Sequence, residues 1–379
     1  MSAAPQVAAA MQRAIDEHGE IGIQVAAYLN GELVVDESAG VVAEGSDVPV
    51  DSETLFNVFS VSKAITATAI HILAERGHID YYDPVTRYWP EFGANGKQAA
   101  TVYDVLTHRL GTPLMPPGVT PELMCDWDWM TARLAESFPL FEPGTKSAYM
   151  SFTFGWIAGE LVRRADPKGR PFREFIAEEI CGPLGIDSLW FGIPEGVDHR
   201  IAELKNMAIP TSAAPTGVVS SLAIPPAVAP IQQVYGRDDV RRTPLPGHGG
   251  IMNAASMARF FALLSGGGEL DGVRLLSADR VRLISVQSPP ASFDFTNGVA
   301  HRMSIGAFHL TGGPLMSPAG TSKTAIGHPG AGSSVGWADP ATTLAVGIAH
   351  NRMFHPSTHE ENVLGPIGAA VRAQLGVAE

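Results

Sequence analysis

The chain is most constrained between Phe56 and Ala74, where a loop leads into a helical segment that is apolar almost all round from Ala64 to Ala74. A helix of that composition has no solvent face and must lie inside the protein. A chain of 379 residues is long enough to bury such a helix in a large core, and two domains are a reasonable prior. At the start of this helix stands Ser60, followed three positions later by Lys63. Residues three apart share a helix face, so the hydroxyl and the amine can meet. Burial disfavours the charged ammonium and lowers a lysine pKa, and a helix N-terminus offers partial positive charge and free N–H groups. Ser60 is therefore a candidate nucleophile and Lys63 a candidate base, although serine is also a common helix cap. The chain has only six lysines, which makes one inside an apolar helix less casual.

The charge and cysteine content exclude several classes. A net charge of −13 argues against nucleic acid or an anionic membrane as the main partner. The two cysteines, Cys125 and Cys181, give no disulfide framework and fit a reducing compartment. The first residues show neither a basic nor a continuous apolar signal region, and no run approaches a membrane span. The expectation is a soluble, cytoplasmic protein acting on a small molecule, with the oligomeric state, homo-oligomer included, left open.

In chain order, residues 6–18 read as a short amphipathic helix, and 21–29 and 33–42 as strands joined by Asn30-Gly31, a strong hairpin signal. The Ser60 helix should stop at Gly77. From 78 onward the pattern turns helical and looping, with helices expected at 102–106, 126–136, 152–164 and 172–180. Residues 205–246 are rich in proline and small apolar side chains and read as a long irregular connection, inclined towards a lid. Helices at 254–264 and 277–285 follow, then strands at 303–310, 324–328, 334–338 and 344–350, and a last helix over 358–375. Strands at both ends with helices between predict an α/β (α+β) fold with one antiparallel sheet built from the two chain termini. The expected division is residues 1–77 with 247–379 as a discontinuous sheet domain, and 78–246 as a mainly helical one lining the cleft.

Two further stretches carry chemistry. Pro143-Gly144 forms a turn that presents Tyr149 just before a helix, and Ile326-Gly327-His328-Pro329-Gly330 is a strand whose glycines admit close backbone approach. Together with Ser60-Val61-Ser62-Lys63, these motifs resemble, in order, those of the serine β-lactamase and penicillin-binding-protein superfamily. Within it the chain is most similar to the β-lactamase-like family VIII carboxylesterases. The three motifs are Ser60-x-x-Lys63, Tyr149-Met150-Ser151 and His328-Pro329-Gly330, and the stretches 106–111, 181–185 and 330–340 look familiar as well. The resemblance spans about residues 20–355 and implies a β-lactamase/transpeptidase-like fold without cofactor or metal. It also implies that Ser60 attacks a carbonyl carbon, that Lys63 and Tyr149 move the proton, and that the N–H groups of Ser60 and Ala331 form the oxyanion hole. Ser151, His328 and Gly330 would contact substrate. Which of Lys63 and Tyr149 is the formal base stays open, and a working phenolate would need a pKa well below its free value of about 10.

Two departures bear on substrate. His328 stands where many β-lactamases have a lysine that holds a carboxylate, and an ordinary histidine is mostly neutral at neutral pH. Ser151 replaces the usual asparagine. The histidine favours a neutral ester over a charged penicillin, whereas the serine cannot mimic an amide's two-ended contact; the expected substrate is a short-chain or compact ester. The alternatives are a β-lactamase, a D-amino-acid peptidase or amidase, an acyltransferase using the same acyl-enzyme, or a silent binding protein. Gly332-x-Ser334-x-Gly336 imitates the nucleophile elbow of another hydrolase fold, but a strand is expected after it where that fold needs a helix. His355 and His359 have metal-like spacing broken by Pro356 and read as structural. Trp127 and Trp129 are expected to pack rather than line a pocket, and the cysteines to be small core residues.

Overall fold

The computed structural model describes residues 3–206, 219–229, 231–286, 292–298, 300–301, 303–306, 309–310, 318–354 and 362–377. It opens with helix α1 (Pro5–His18), whose Val7, Ala10, Met11 and Ala14 are buried at three- and four-residue spacing, and which ends on Gly19 at φ 71°. Strands β1 (Gly22–Leu29) and β2 (Glu32–Gly40) form the expected hairpin. Its two turn residues, Asn30 and Gly31, both have positive φ, 54° and 84°, the conformation that lets a two-residue turn follow the twist of its strands.

β3 (Phe56–Phe59) leads into α2 (Ser62–Glu75), buried from Ser62 through Ala74 as its composition demands. α3 (Val102–Leu106) follows, started by a reciprocal Thr101–Asp104 capping box, then α4 (Trp127–Ala135) and α5 (Thr153–Ala165). Trp127 anchors this helical region: its Nε1 donates to Glu160 Oε2 at 2.9 Å, and the same buried carboxylate binds Arg163 and Arg164. β4 (Leu189–Phe191), β5 (Gly250–Met252) and α6 (Ala254–Ser265) come next. Strands β6 (His309–Leu310), β7 (Ile326–Pro329), β8 (Val335–Asp339) and β9 (Leu344–His350) precede the last helix, α7 (Leu364–Leu375).

The main sheet is antiparallel throughout, in the order β6-β7-β8-β9-β1-β2, so its strands come from the two ends of the chain. Alternate side chains serve different cores. Ile23, Val25, Val346 and Ile348 pack with α1 and α7, whereas Ala26, Tyr28, Ala345 and Ala349 join the larger core of α2, α6 and the helical region. A second, three-stranded sheet, β3-β5-β4, carries the chain to the start of α2.

Several expectations need correction. β4 and β5 had no forecast, since three residues are too few to show a period of two. The 172–180 segment is not one helix: an α-turn (Phe172–Ile176) widens into a π-turn (Ala177–Cys181). The described part of 205–246 is not structureless, because it holds helices at Ser220–Ala223, Ile231–Tyr235 and Asp238–Arg242. Residues 207–218 and 230, and the expected helix start and histidine pair at 355–361, lie outside the described residues. Of the expected 303–310 strand only His309–Leu310 is a described strand, and parts of it lie outside as well. Among the described residues no helix is long and apolar enough to cross a membrane. Cys125 and Cys181 are free thiols, Cys181 buried and Cys125 partly so.

Candidate active site

Ser60 occupies the turn between β3 and α2. The pairing of β3 with β5 is irregular between Asn57 and Phe59, and Phe59 takes φ 48°, unusual for a bulky side chain. A bulge beside a sharp turn re-aims the next side chain, and Ser60 is left partly accessible while its neighbours Val61, Ser62 and Lys63 are buried.

Lys63 is fully buried, and its Nζ lies 3.0 Å from Ser60 Oγ, 2.7 Å from Ser151 O and 2.8 Å from Gly247 O. Burial holds its pKa well below the ordinary 10.5. The carbonyl of Gly247 belongs to a segment that runs along α2 in fixed register. Thr66 Oγ1 donates to Pro246 O at 2.6 Å, Lys63 meets Gly247 O, and Ser62 Oγ accepts from Gly250 N–H at 2.9 Å. α5 presses on this segment from the other side: a Cβ on Gly155 would stand 2.2 Å from Gly247 N, so only glycine fits there.

Tyr149 completes the cluster. Its hydroxyl hydrogen-bonds Ser60, and its ring centroid is 5.1 Å from Lys63 Nζ. Burial pushes the phenol pKa up and the charge of Asp294 adds to this, against the lowering effect of the Ser60 hydrogen bond. On balance the surroundings raise the phenol pKa, the opposite of the lowering that a working phenolate would need.

The remaining site residues sit as follows. Ser151 meets Lys63 through its main-chain carbonyl, and its side chain is nearly buried. His328, on β7, is buried, with Nδ1 2.8 Å from Pro329 O and its ring 6.1 Å from that of Tyr149. Gly330 donates its N–H to Ser334 O at 2.6 Å. A Cβ there would lie 2.2 Å from Val58 O, which presses the 330–331 turn against the strand that carries Ser60. Ala331 begins that turn and is partly exposed. Ser334 is buried, its Oγ accepting the His350 N–H at 3.3 Å. No group of three or more His, Cys, Asp or Glu among the described residues could hold a metal ion.

Two residues with no forecast role hold Tyr149 in place. Asp294, buried, accepts from Tyr149 N at 2.7 Å, Ser147 Oγ at 3.0 Å, Thr296 N at 3.0 Å and Asn297 N at 2.9 Å. Its Asp-Phe-Thr-Asn context is an Asx-type turn signal, although nothing in it points to Tyr149. His108, at φ 55°, accepts the Met150 N–H on Nδ1 at 3.0 Å and tilts against the Tyr149 ring at 4.7 Å.

Residues 7–365 match the family model described as Beta-lactamase. The chain belongs to this β-lactamase family. As a member it is a β-lactamase-like serine hydrolase. The Mycobacterium tuberculosis esterase/β-lactamase LipL is 34% identical over 351 residues, covering 88% of this chain and 78% of that protein. Among solved structures, a penicillin-binding-protein homologue from Caulobacter crescentus superposes with a TM-score of 0.87 at 30% identity, covering 99% and 98% of the two chains. A family VIII carboxylesterase does so with 0.86 at 30% identity, covering 98% of each. Membership of the β-lactamase family accounts for the sheet and the helices packed on it.

Proposed function

We propose that this β-lactamase-family protein is a carboxylesterase that hydrolyses short-chain or compact esters through an acyl-enzyme on Ser60. The observation that carries this reading is the environment of Lys63 Nζ. A neutral amine has two N–H bonds and one lone pair; two carbonyls, Ser151 O and Gly247 O, accept the former, which turns the lone pair to the Ser60 hydroxyl. Lys63 is then the general base and Tyr149 the proton carrier on the leaving-group side.

The steps balance simply. Ser60 Oγ bonds to the ester carbon while its proton passes to Lys63 and the carbonyl π pair moves to oxygen. The N–H groups of Ser60 and Ala331 are the proposed donors to that oxyanion, supported by the close passage of the 330–331 turn against Val58. Collapse breaks the C–O bond to the alcohol, whose oxygen takes a proton through Tyr149, itself recharged from Lys63. Water then repeats the sequence in reverse on the acyl-serine.

The preference for neutral esters rests on His328 in place of a lysine, with Ser151, His328 and Gly330 proposed along the substrate, and is supported by relatives named as esterases. The β-lactam reading is the alternative, because LipL carries both activities in its name. The proposed division of the chain, 1–77 with 247–379 against 78–246, places Ser60 and Lys63 on one side of the cleft and Tyr149 on the other. The free cysteines support a reducing, cytoplasmic setting. Parallel rates on p-nitrophenyl butyrate, nitrocefin and a D-alanyl amide test the reading: it requires the ester to be preferred by at least about a hundredfold in kcat/KM, the upper range for one charge-assisted contact, and equal turnover of nitrocefin would overturn it.

A further inference from the structure

Behind Lys63 lies a chain of four rings that the catalytic reading does not use. Phe152 stacks on His248 with centroids 4.2 Å apart and planes 29° from parallel. His248 Nδ1 is 2.5 Å from the Tyr235 hydroxyl. Tyr235 meets Phe59 edge-on at 5.0 Å, and Trp156 closes the side of His248 at 5.3 Å. All four rings are almost completely buried. Three of them are chain neighbours of the atoms around the Lys63 amine. Phe152 follows Ser151 and His248 follows Gly247, the two carbonyl donors of electron pairs, while Phe59 precedes Ser60 at the strained turn. Tyr235, from the short helix Ile231–Tyr235, bridges the other rings.

We propose that the Phe152–His248–Tyr235–Phe59 stack is a positioning device that keeps water away from the back of Lys63 and holds its two carbonyl partners in register. This rests on the reading of Lys63 as the base. The titratable groups facing the amine are Tyr149 across the cleft and His248 on the 246–250 segment, with His328, His108 and Asp294 grouped around Tyr149. The lowering of the Lys63 pKa comes from burial, an effect that weakens when water reaches the amine. His248 suits the wall because its own burial drives its pKa well below the ordinary 6.5. Removing the imidazole would leave a void next to the Tyr235 hydroxyl, a polar partner for an entering water.

The test separates the wall from simple support of the fold. The pH dependence of Ser60 labelling by a p-nitrophenyl phosphonate, and of kcat/KM on p-nitrophenyl butyrate, is measured for wild type, His248→Ala, His248→Phe and Phe152→Leu, alongside thermal unfolding. His248→Ala should move the acid limb up by about one pH unit or more as desolvation relaxes, lowering kcat about tenfold at neutral pH with KM within about twofold. His248→Phe loses the Tyr235 hydrogen bond but keeps a ring, so it should unfold at lower temperature with its limb near that of wild type. Phe152→Leu, the milder change, should move the limb in the same direction as His248→Ala and serves if the latter does not fold. Lower Tm with unmoved limbs in both His248→Ala and Phe152→Leu would overturn the proposal. If Lys63→Ala itself labels with the wild-type profile, the base assignment fails first and takes this inference with it.

Discussion

Two buried lysines of this protein make an instructive pair. Lys63 and Lys97 are both without solvent contact, and burial lowers both pKa values, that of Lys97 to about 8. Lys97 Nζ donates to Ala94 O at 2.9 Å and Ala135 O at 3.0 Å, and also to Ser137 O. Three carbonyls can only accept, so they call for three N–H bonds and hence an ammonium. Two of them, Ala135 O and Ser137 O, lie at the C-terminal end of α4, where a positive charge is favoured. Lys63 has two carbonyls and one hydroxyl, which can donate as well as accept. On the proposed reading, that single exchange of a carbonyl for a serine is what separates a base from a structural clamp. Burial alone is thus a poor mark of catalysis; the donor and acceptor roles of the partners decide.

The comparison can be broken by substitution. Ser60→Ala should reduce ester hydrolysis to background while Ser334→Ala keeps most of it, as read by initial rates on p-nitrophenyl butyrate. Lys63→Ala should lower kcat by at least about a hundredfold. Tyr149→Phe should cost a comparable factor, and the double variant much less than the product, because groups sharing one proton path are not additive. Strict multiplication of the two losses would separate their roles.

Asp294→Asn sharpens the same point from a distance. It keeps the shape of the side chain but weakens the bonds to Tyr149 N and Ser147 Oγ. The expected loss is about tenfold in kcat, within the usual worth of one charged hydrogen bond, with KM little changed. Lys97→Met should give the smallest catalytic effect, within about twofold in kcat, and the largest loss of stability, about 2 kcal/mol or more from buried carbonyls left unpaired. Urea unfolding measures it, and a Lys97→Met protein that is stable but inactive would erase the contrast between the two lysines.

How much of this could be read in the sequence follows from which groups do the work. α2 was legible because its apolar run leaves a helix no exposed face, and the hairpin because Asn30-Gly31 suits its turn. Ser60, Lys63 and Tyr149 stood out as side chains with unusual neighbours. The partners that define Lys63 are main-chain carbonyls of Ser151 and Gly247, and a carbonyl has no signature in a sequence. Gly247 lies just past the irregular 205–246 stretch, and its register along α2 comes from Thr66 and Ser62. Asp294 acts on a residue 145 positions away, a pairing set by tertiary contact alone. The short strand β5 was hidden for the same reason, since its order comes from pairing with β3 and β4 rather than from its own pattern.

The most direct test of the account is the pH dependence of Ser60 modification. A p-nitrophenyl phosphonate reports the nucleophile and its base without depending on the choice of substrate, and mass spectrometry locates the adduct. A neutral Lys63 predicts labelling on the peptide that contains Ser60, with a rate that rises with pH as the ammonium loses its proton. The midpoint should fall well below the 10.5 of an ordinary lysine, and the limb should vanish together with rapid labelling in Lys63→Ala. A midpoint near that of a free lysine, an unchanged profile in Lys63→Ala, or an adduct on the Ser334 peptide would contradict it.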